Sequence, residues 1–166
     1  MIKKILIGLA IVLVVIQFIK PQKNDSNDST YDISKKYEVP AEVDHILKVS
    51  CNDCHSNNTV YPWYANVQPV AWWLDHHIVD GKRHLNFSEF TNLPLFVQNH
   101  KFDETIEMVE EGEMPLESYT NFGLHPEANL SDEQRKILVD WAKAQMQYLK
   151  ENYPADSLKM PKRTDR

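Results

Sequence analysis

Apolar residues fill the chain from Ile5 to Ile19, broken only by Gly8 and Gln17, and two lysines, Lys3 and Lys4, stand ahead of them. A positive start followed by an apolar stretch of about 15 residues has the form of an export segment, though it is shorter than the ~20 residues of a usual spanning helix. No small-x-small cleavage site follows it, and no cysteine is available there for lipid attachment. Residues 1–20 are therefore expected to be an uncleaved signal anchor, with the lysines inside and the remainder outside the cytoplasmic membrane. From Pro21 to Thr30 the pattern turns wholly polar, rich in Asn, Asp and Ser. Such a stretch buries nothing, and residues 21–36 are expected to be a flexible tether reaching a few nanometres.

Beyond the tether the period is helical. Val43, Ile46 and Leu47 keep helical spacing after Pro40. A second helix opens at Pro69 and is expected to stop at Gly81, with Val70, Trp73, Leu74, His77 and Ile78 on one face. A third is expected from Asp103 as N-cap, through Ile106 and Val109, to Gly112 as its C-terminal stop. Ser131-Asp132-Glu133-Gln134 reads as a capping box, and Ile137, Leu138, Trp141, Gln145 and Tyr148 trace the stripe of a long last helix. No alternating strand pattern and no hairpin signal appears. The expectation is an all-α domain over residues 37–152 and a polar tail over 153–166.

Composition changes this picture little. A formal charge of −6 without a basic cluster argues against nucleic acid as a partner. The two cysteines change it greatly, because both lie in Cys51-Asn52-Asp53-Cys54-His55. C-x-x-C-H is the attachment signature of a c-type haem, in which two thiols add to the haem vinyl groups and the histidine lies under the iron. A zinc half-site would want a second pair of ligands, and a redox dithiol would want a βαβ setting. Neither follows. The expected cofactor is one covalently attached haem c with its iron.

The second axial ligand is less direct. Gly112-Glu113-Met114-Pro115 follows the third helix, and a thioether is a soft ligand that raises the potential of a haem iron. A lone Met is ordinarily core filler, but the order of helix, Met-Pro loop and final amphipathic helix is that of a small cytochrome c. Met114 is the expected distal ligand. His77 is its rival, being on an apolar face, where a single histidine is more often a satisfied core residue. His45, His76, His84, His100 and His125 read as non-ligands, and Met108 and Met146 as packing residues. Tyr61, Trp63, Tyr64, Trp72, Trp73, Phe87, Phe90 and Phe96 could wall the haem, and Lys82 or Arg83 could hold its propionates.

Several pieces together resemble the bacterial haem-binding domain family: Cys51 through Thr59, Tyr61-Pro62-Trp63-Tyr64, Pro69 to Trp73, Gly81 to Phe90, and Gly112 through His125-Pro126 to Trp141. The resemblance covers roughly residues 37 to 150. It implies a small exported protein of cytochrome c-like architecture, with thioethers at Cys51 and Cys54, His55 proximal and Met114 distal to the iron. The expected role is that of a periplasmic single-electron carrier rather than an enzyme, serving membrane-associated redox proteins. A haem-based sensor, a peroxidase-like enzyme with a labile distal ligand, and a haem accessory subunit of a membrane complex are the alternatives.

Overall fold

The computed structural model describes residues 1–120 and 124–161. Among the described residues every regular element is helical: α1 (Ile2–Ile16), α2 (Ala41–Ser50), α3 (Asn52–His55), α4 (Val70–His84), α5 (Leu95–Glu110), α6 (Glu117–Thr120) and α7 (Asp132–Asn152), joined by short 3-10 turns. The all-α expectation holds.

The core is built around the long pair α5 and α7, which pack along one another. Phe102, Ile106 and Val109 of α5 meet Leu138, Trp141, Ala142 and Leu149 of α7, all buried. Aromatic rings meet edge-on at the centre, Phe102 against Trp141 at 5.8 Å and against Tyr37 at 5.0 Å. Such tilted contacts let the positive ring edges meet negative faces. α2 adds Val43, Ile46 and Leu47 to the same cluster, as their spacing foretold. The capping box of α7 is also present, Ser131 accepting from the Gln134 amide and Gln134 reaching back to the Ser131 amide.

Four expectations need correction. α4 runs through Gly81 to His84 instead of stopping there, and its buried face is Ala71, Leu74 and Ile78, with Trp73 exposed. α5 begins at Leu95, after Pro94 in the N-cap position, so Asp103 is mid-helix; Gly112 does end it, at φ 78°. The stretch read as a tether lies on the domain. Asn24 donates through its side chain to the Ser56 carbonyl and to Thr59 Oγ1, both at 2.9 Å, and its amide donates to the Tyr61 hydroxyl at 2.7 Å. Ile33 and Tyr37 are core residues. In the tail, Tyr153 and Leu158 pack against the core; residues 162–166 lie outside the described set.

Among the described residues no helix is both long and apolar enough to cross a membrane. α1 has 15 residues, which at 1.5 Å each is about 22 Å against a hydrocarbon thickness of ~30 Å. The anchor expected over residues 1–20 is therefore an exposed apolar helix without a spanning length.

Candidate functional site

α2 ends at Ser50, and the chain turns at once into α3. The Cys51 amide closes the last turn of α2 on the Leu47 carbonyl, while the Cys51 carbonyl accepts from the Cys54 and His55 amides at 3.1 and 3.0 Å. The turn is held from outside by Asp53. One carboxylate oxygen accepts from the Val60 amide and the other from the Tyr119 hydroxyl, both at 2.8 Å. Thr59 Oγ1 donates to the Asp53 carbonyl at 2.6 Å. Asp53 is the residue that fastens the two cysteines.

α4 crosses α3 at close range because of Gly81. A Cβ placed there would lie 2.6 Å from the Cys54 carbonyl oxygen, closer than real carbon contacts allow. The close approach brings two backbone carbonyls, those of Gly81 and Leu85, to 3.1 and 3.0 Å from His55 Nδ1. Both are acceptors, so Nδ1 carries the proton and Nε2 keeps its lone pair for a metal. Burial holds the His55 pKa below its ordinary value, against the opposing pull of these two bonds, which favours the neutral ligand form.

The thiols behave unlike those of a redox pair. Burial, with Cys54 adding to it, pushes Cys51 up to about 12, and burial with the Asp53 charge pushes Cys54 up to about 11. Redox-active cysteines lie well below their ordinary value. Among the described residues no group of three or more His, Cys, Asp or Glu side chains is placed to hold a metal ion. The raised thiols do not suit a redox dithiol, and among the described residues a zinc site finds no further grouped ligands.

Cys51, Cys54 and His55 open onto a cavity of about 520 Å³, within the size range of cofactor sites. Its wall is mostly apolar: Leu47, Leu85, Phe87, Val109, Leu116 and Leu138 contribute. Met114 and Met108 line it, and so do His76, His77 and His84 of α4. His77 Nδ1 pairs with the carbonyl of Trp73 at 2.8 Å, which ties the ring to its own helix. Met114 is held at both ends of its peptide unit. Its amide donates to the Met108 carbonyl at 3.1 Å, and its carbonyl accepts from Arg135 at 3.2 Å, the same guanidinium nitrogen that reaches the Val109 carbonyl at 2.9 Å.

The donor set fits a c-type haem: two thiols one helical turn apart, an imidazole with Nε2 free, and a thioether on one apolar cavity. Residues 11–144 match the family model of the haem-binding domain. The chain belongs to the haem-binding domain family. The match begins well before residue 37, where the resemblance in the sequence begins, and takes in the strap from Asn24 to Tyr37. No curated protein and no solved structure matches the chain.

In this haem-binding domain the aromatic residues are distributed differently from the expectation. Of the eight rings proposed as haem walls only Phe87 lines the cavity, joined by Tyr119. Trp63, Trp72 and Trp73 are exposed, and Phe90 is in the core behind. Lys82 and Arg83 do not line the cavity either: Lys82 donates to Asn24 Oδ1 at 2.6 Å and Arg83 pairs with Asp80. His125 is not a free surface residue. It stacks on Tyr119 at 4.3 Å, meets the Tyr64 hydroxyl at 2.6 Å through Nε2 and Glu127 through Nδ1. Burial and the Asp53 charge raise the Tyr119 pKa, so the phenol stays protonated and donates to Asp53. Arg135, Tyr119 and Gly81 were invisible as site residues in the sequence, since each acts through the backbone or motif of another segment.

Proposed function

We propose that the haem is attached covalently through Cys51 and Cys54 as haem c, that His55 and Met114 ligate its iron, and that the protein is a one-electron carrier outside the cytoplasmic membrane, tied to it by α1. The observation that carries this reading is the pairing of His55 Nδ1 with the Gly81 and Leu85 carbonyls at the edge of the cavity that both cysteines line. Two thiols one helical turn apart on the cavity wall suit addition across the two vinyl double bonds. In each addition a sulfur–carbon bond forms and the thiol hydrogen passes to the other vinyl carbon, so no oxidant is needed.

When bound, haem supplies an iron that gains or loses one electron. The residues here supply the rest. His55 is oriented by the Gly81 and Leu85 carbonyls, and its Nδ1–H bonds add electron density to Nε2. The apolar wall keeps water away and disfavours added positive charge, which raises the potential. Met114, on a loop fixed by Arg135, would be the second protein ligand of the iron and would keep small molecules out. An iron with both protein ligands in place suits a carrier rather than an enzyme. Redox proteins at the membrane surface would be its partners.

The test is retention of haem. Protein matured in a host with a haem-attachment system should keep its haem through denaturation and acid–organic extraction. Cys51→Ala with Cys54→Ala should release it to the organic layer. Full extraction from the unaltered protein would rule out covalent attachment, leaving the family's haem binding in place.

A further inference from the structure

Residues 54–74 contain no Asp, Glu, Lys or Arg, in a chain of which 25% is charged; an average stretch of that length would hold about five. Within it lie three of the four tryptophans, all exposed, whereas the fourth, Trp141, is buried in the core. Trp63 is the extreme, with 78% of its surface accessible, and Val60 beside it has 74%. Large exposed apolar groups gathered without charges mark a surface built to meet something apolar.

The same face receives the end of α1. Gln17 and Gln68 pair reciprocally, the Gln17 side chain donating to the Gln68 carbonyl at 3.2 Å and the Gln68 amide donating back to Gln17 Oε1 at 2.9 Å. The Gln68 side chain then donates to the Ile19 carbonyl at 2.6 Å, and Trp72 Nε1 to that same carbonyl at 3.1 Å. Two apolar surfaces, one a helix exposed on all sides and one an aromatic patch, are thereby locked edge to edge.

We propose that α1 and the patch from Val60 to Trp73 form one continuous lipid-contacting surface, which seats the haem domain on the bilayer with this face in the interfacial layer. The inference rests on the membrane placement put forward above and adds which face of the domain meets the lipid. Tryptophan is the residue that suits that layer, with an apolar body and one polar tip. The patch also makes sense of the length of α1, which is too short to span and gains a second apolar surface at its exit. The chain carries a net charge of −6, and the one cation at the patch, Lys23, lies over the Tyr61 ring at 5.4 Å, so the attraction is chiefly apolar and needs no anionic headgroup. His76 and His77, on the turn after Trp72 and Trp73, line the cavity, so docking brings that wall of the haem site close to the lipid surface.

The experiment uses the full haem-loaded chain in phosphatidylcholine vesicles that carry a photoactivatable diazirine on the acyl chain, with adducts located by mass spectrometry. Adducts should appear in α1 and in peptides spanning Val60 to Trp73, unchanged between low and high salt. Val60→Ser with Trp63→Ser, whose side chains make no hydrogen bond, should lose the second set severalfold, keep the first, and leave the haem spectrum unaltered. Adducts confined to α1 would overturn the docked face and leave the anchor standing. Absence of adducts from both segments would overturn the membrane reading as well. Labelling of the patch that collapses in high salt, or survives the double substitution, would overturn the apolar basis claimed for it.

Discussion

Replacing Gly81 by Ala should destabilise the protein, against the ordinary rule for a glycine inside a helix. Alanine is favoured over glycine in helix interiors by ~1 kcal/mol, so an unconstrained site would gain about that much. Here the new Cβ meets the Cys54 carbonyl oxygen at 2.6 Å and Cys54 Cβ at 3.1 Å. The obstacle is backbone and cannot rotate aside, so α3 and α4 must separate by several tenths of an ångström. Overpacking of this kind costs ~1–3 kcal/mol. Separation also stretches the bonds from His55 Nδ1 to the Gly81 and Leu85 carbonyls, and a typical hydrogen bond contributes ~0.5–1.5 kcal/mol. The balance is a net loss of roughly 1–3 kcal/mol, with a lowered and broadened haem absorption as the imidazole loses its fixed orientation. Urea unfolding of the haem-loaded protein gives the first quantity and the visible spectrum the second. A variant stabilised by ~1 kcal/mol with an unchanged spectrum would refute the close-approach argument.

Three further outcomes follow from the same geometry. Met114→Ala should turn the low-spin ferric spectrum high-spin, abolish a far-red sulfur–iron band and lower the potential markedly, since axial ligands set haem potentials over ~0.8 V; an unchanged spectrum would move the assignment to His77. Arg135→Gln should cost ~1–3 kcal/mol by freeing the Val109 and Met114 carbonyls, and should weaken that band without removing Met114, which urea unfolding and ferric spectra would read together. Asn24→Ala should lower the urea midpoint by the equivalent of ~1–3 kcal/mol, because the Ser56 carbonyl and Thr59 hydroxyl lose their donor; no change would restore the free tether.

What could be read from the chain was whatever acts locally. The capping box at Ser131 works over three residues, and the Val43, Ile46, Leu47 face of α2 is set by helical period, so both appear where the pattern puts them. The start of α5 was hidden by Gln98. It is a buried position on the stripe that continues through Phe102, Ile106 and Val109, but it is polar, and its partners Tyr37 and Lys36 lie some sixty residues away. Without those partners in view, Asp103 offers the better cap. Gly81 misled for a related reason: glycine ends helices often, and only the Cys54 carbonyl, 27 positions earlier, explains a glycine kept in mid-helix. The cysteines, His55 and Met114 do line one cavity, as their types suggested. The groups that hold them, Asp53 excepted, come from far along the chain. For Trp72 and Trp73 the question was which side of α4 faces in, and a helix with apolar residues on several sides does not announce that.

The reciprocal Gln17–Gln68 pair has a consequence for encounter with other proteins. A domain on a slack leash samples a hemisphere, meeting many partners at modest effective concentration and in all orientations. Were α1 held in the membrane as proposed, a domain bracketed to it would give up that sampling. It would offer one side of the haem, at one height above the lipid, to whatever drifts past in the plane. Partners whose redox centre lies at that height would meet it at an effective concentration far above that of a free protein, and partners that are taller or shorter would scarcely meet it at all. Selectivity would then reside in altitude, set by two glutamines, with no need for a charged recognition surface.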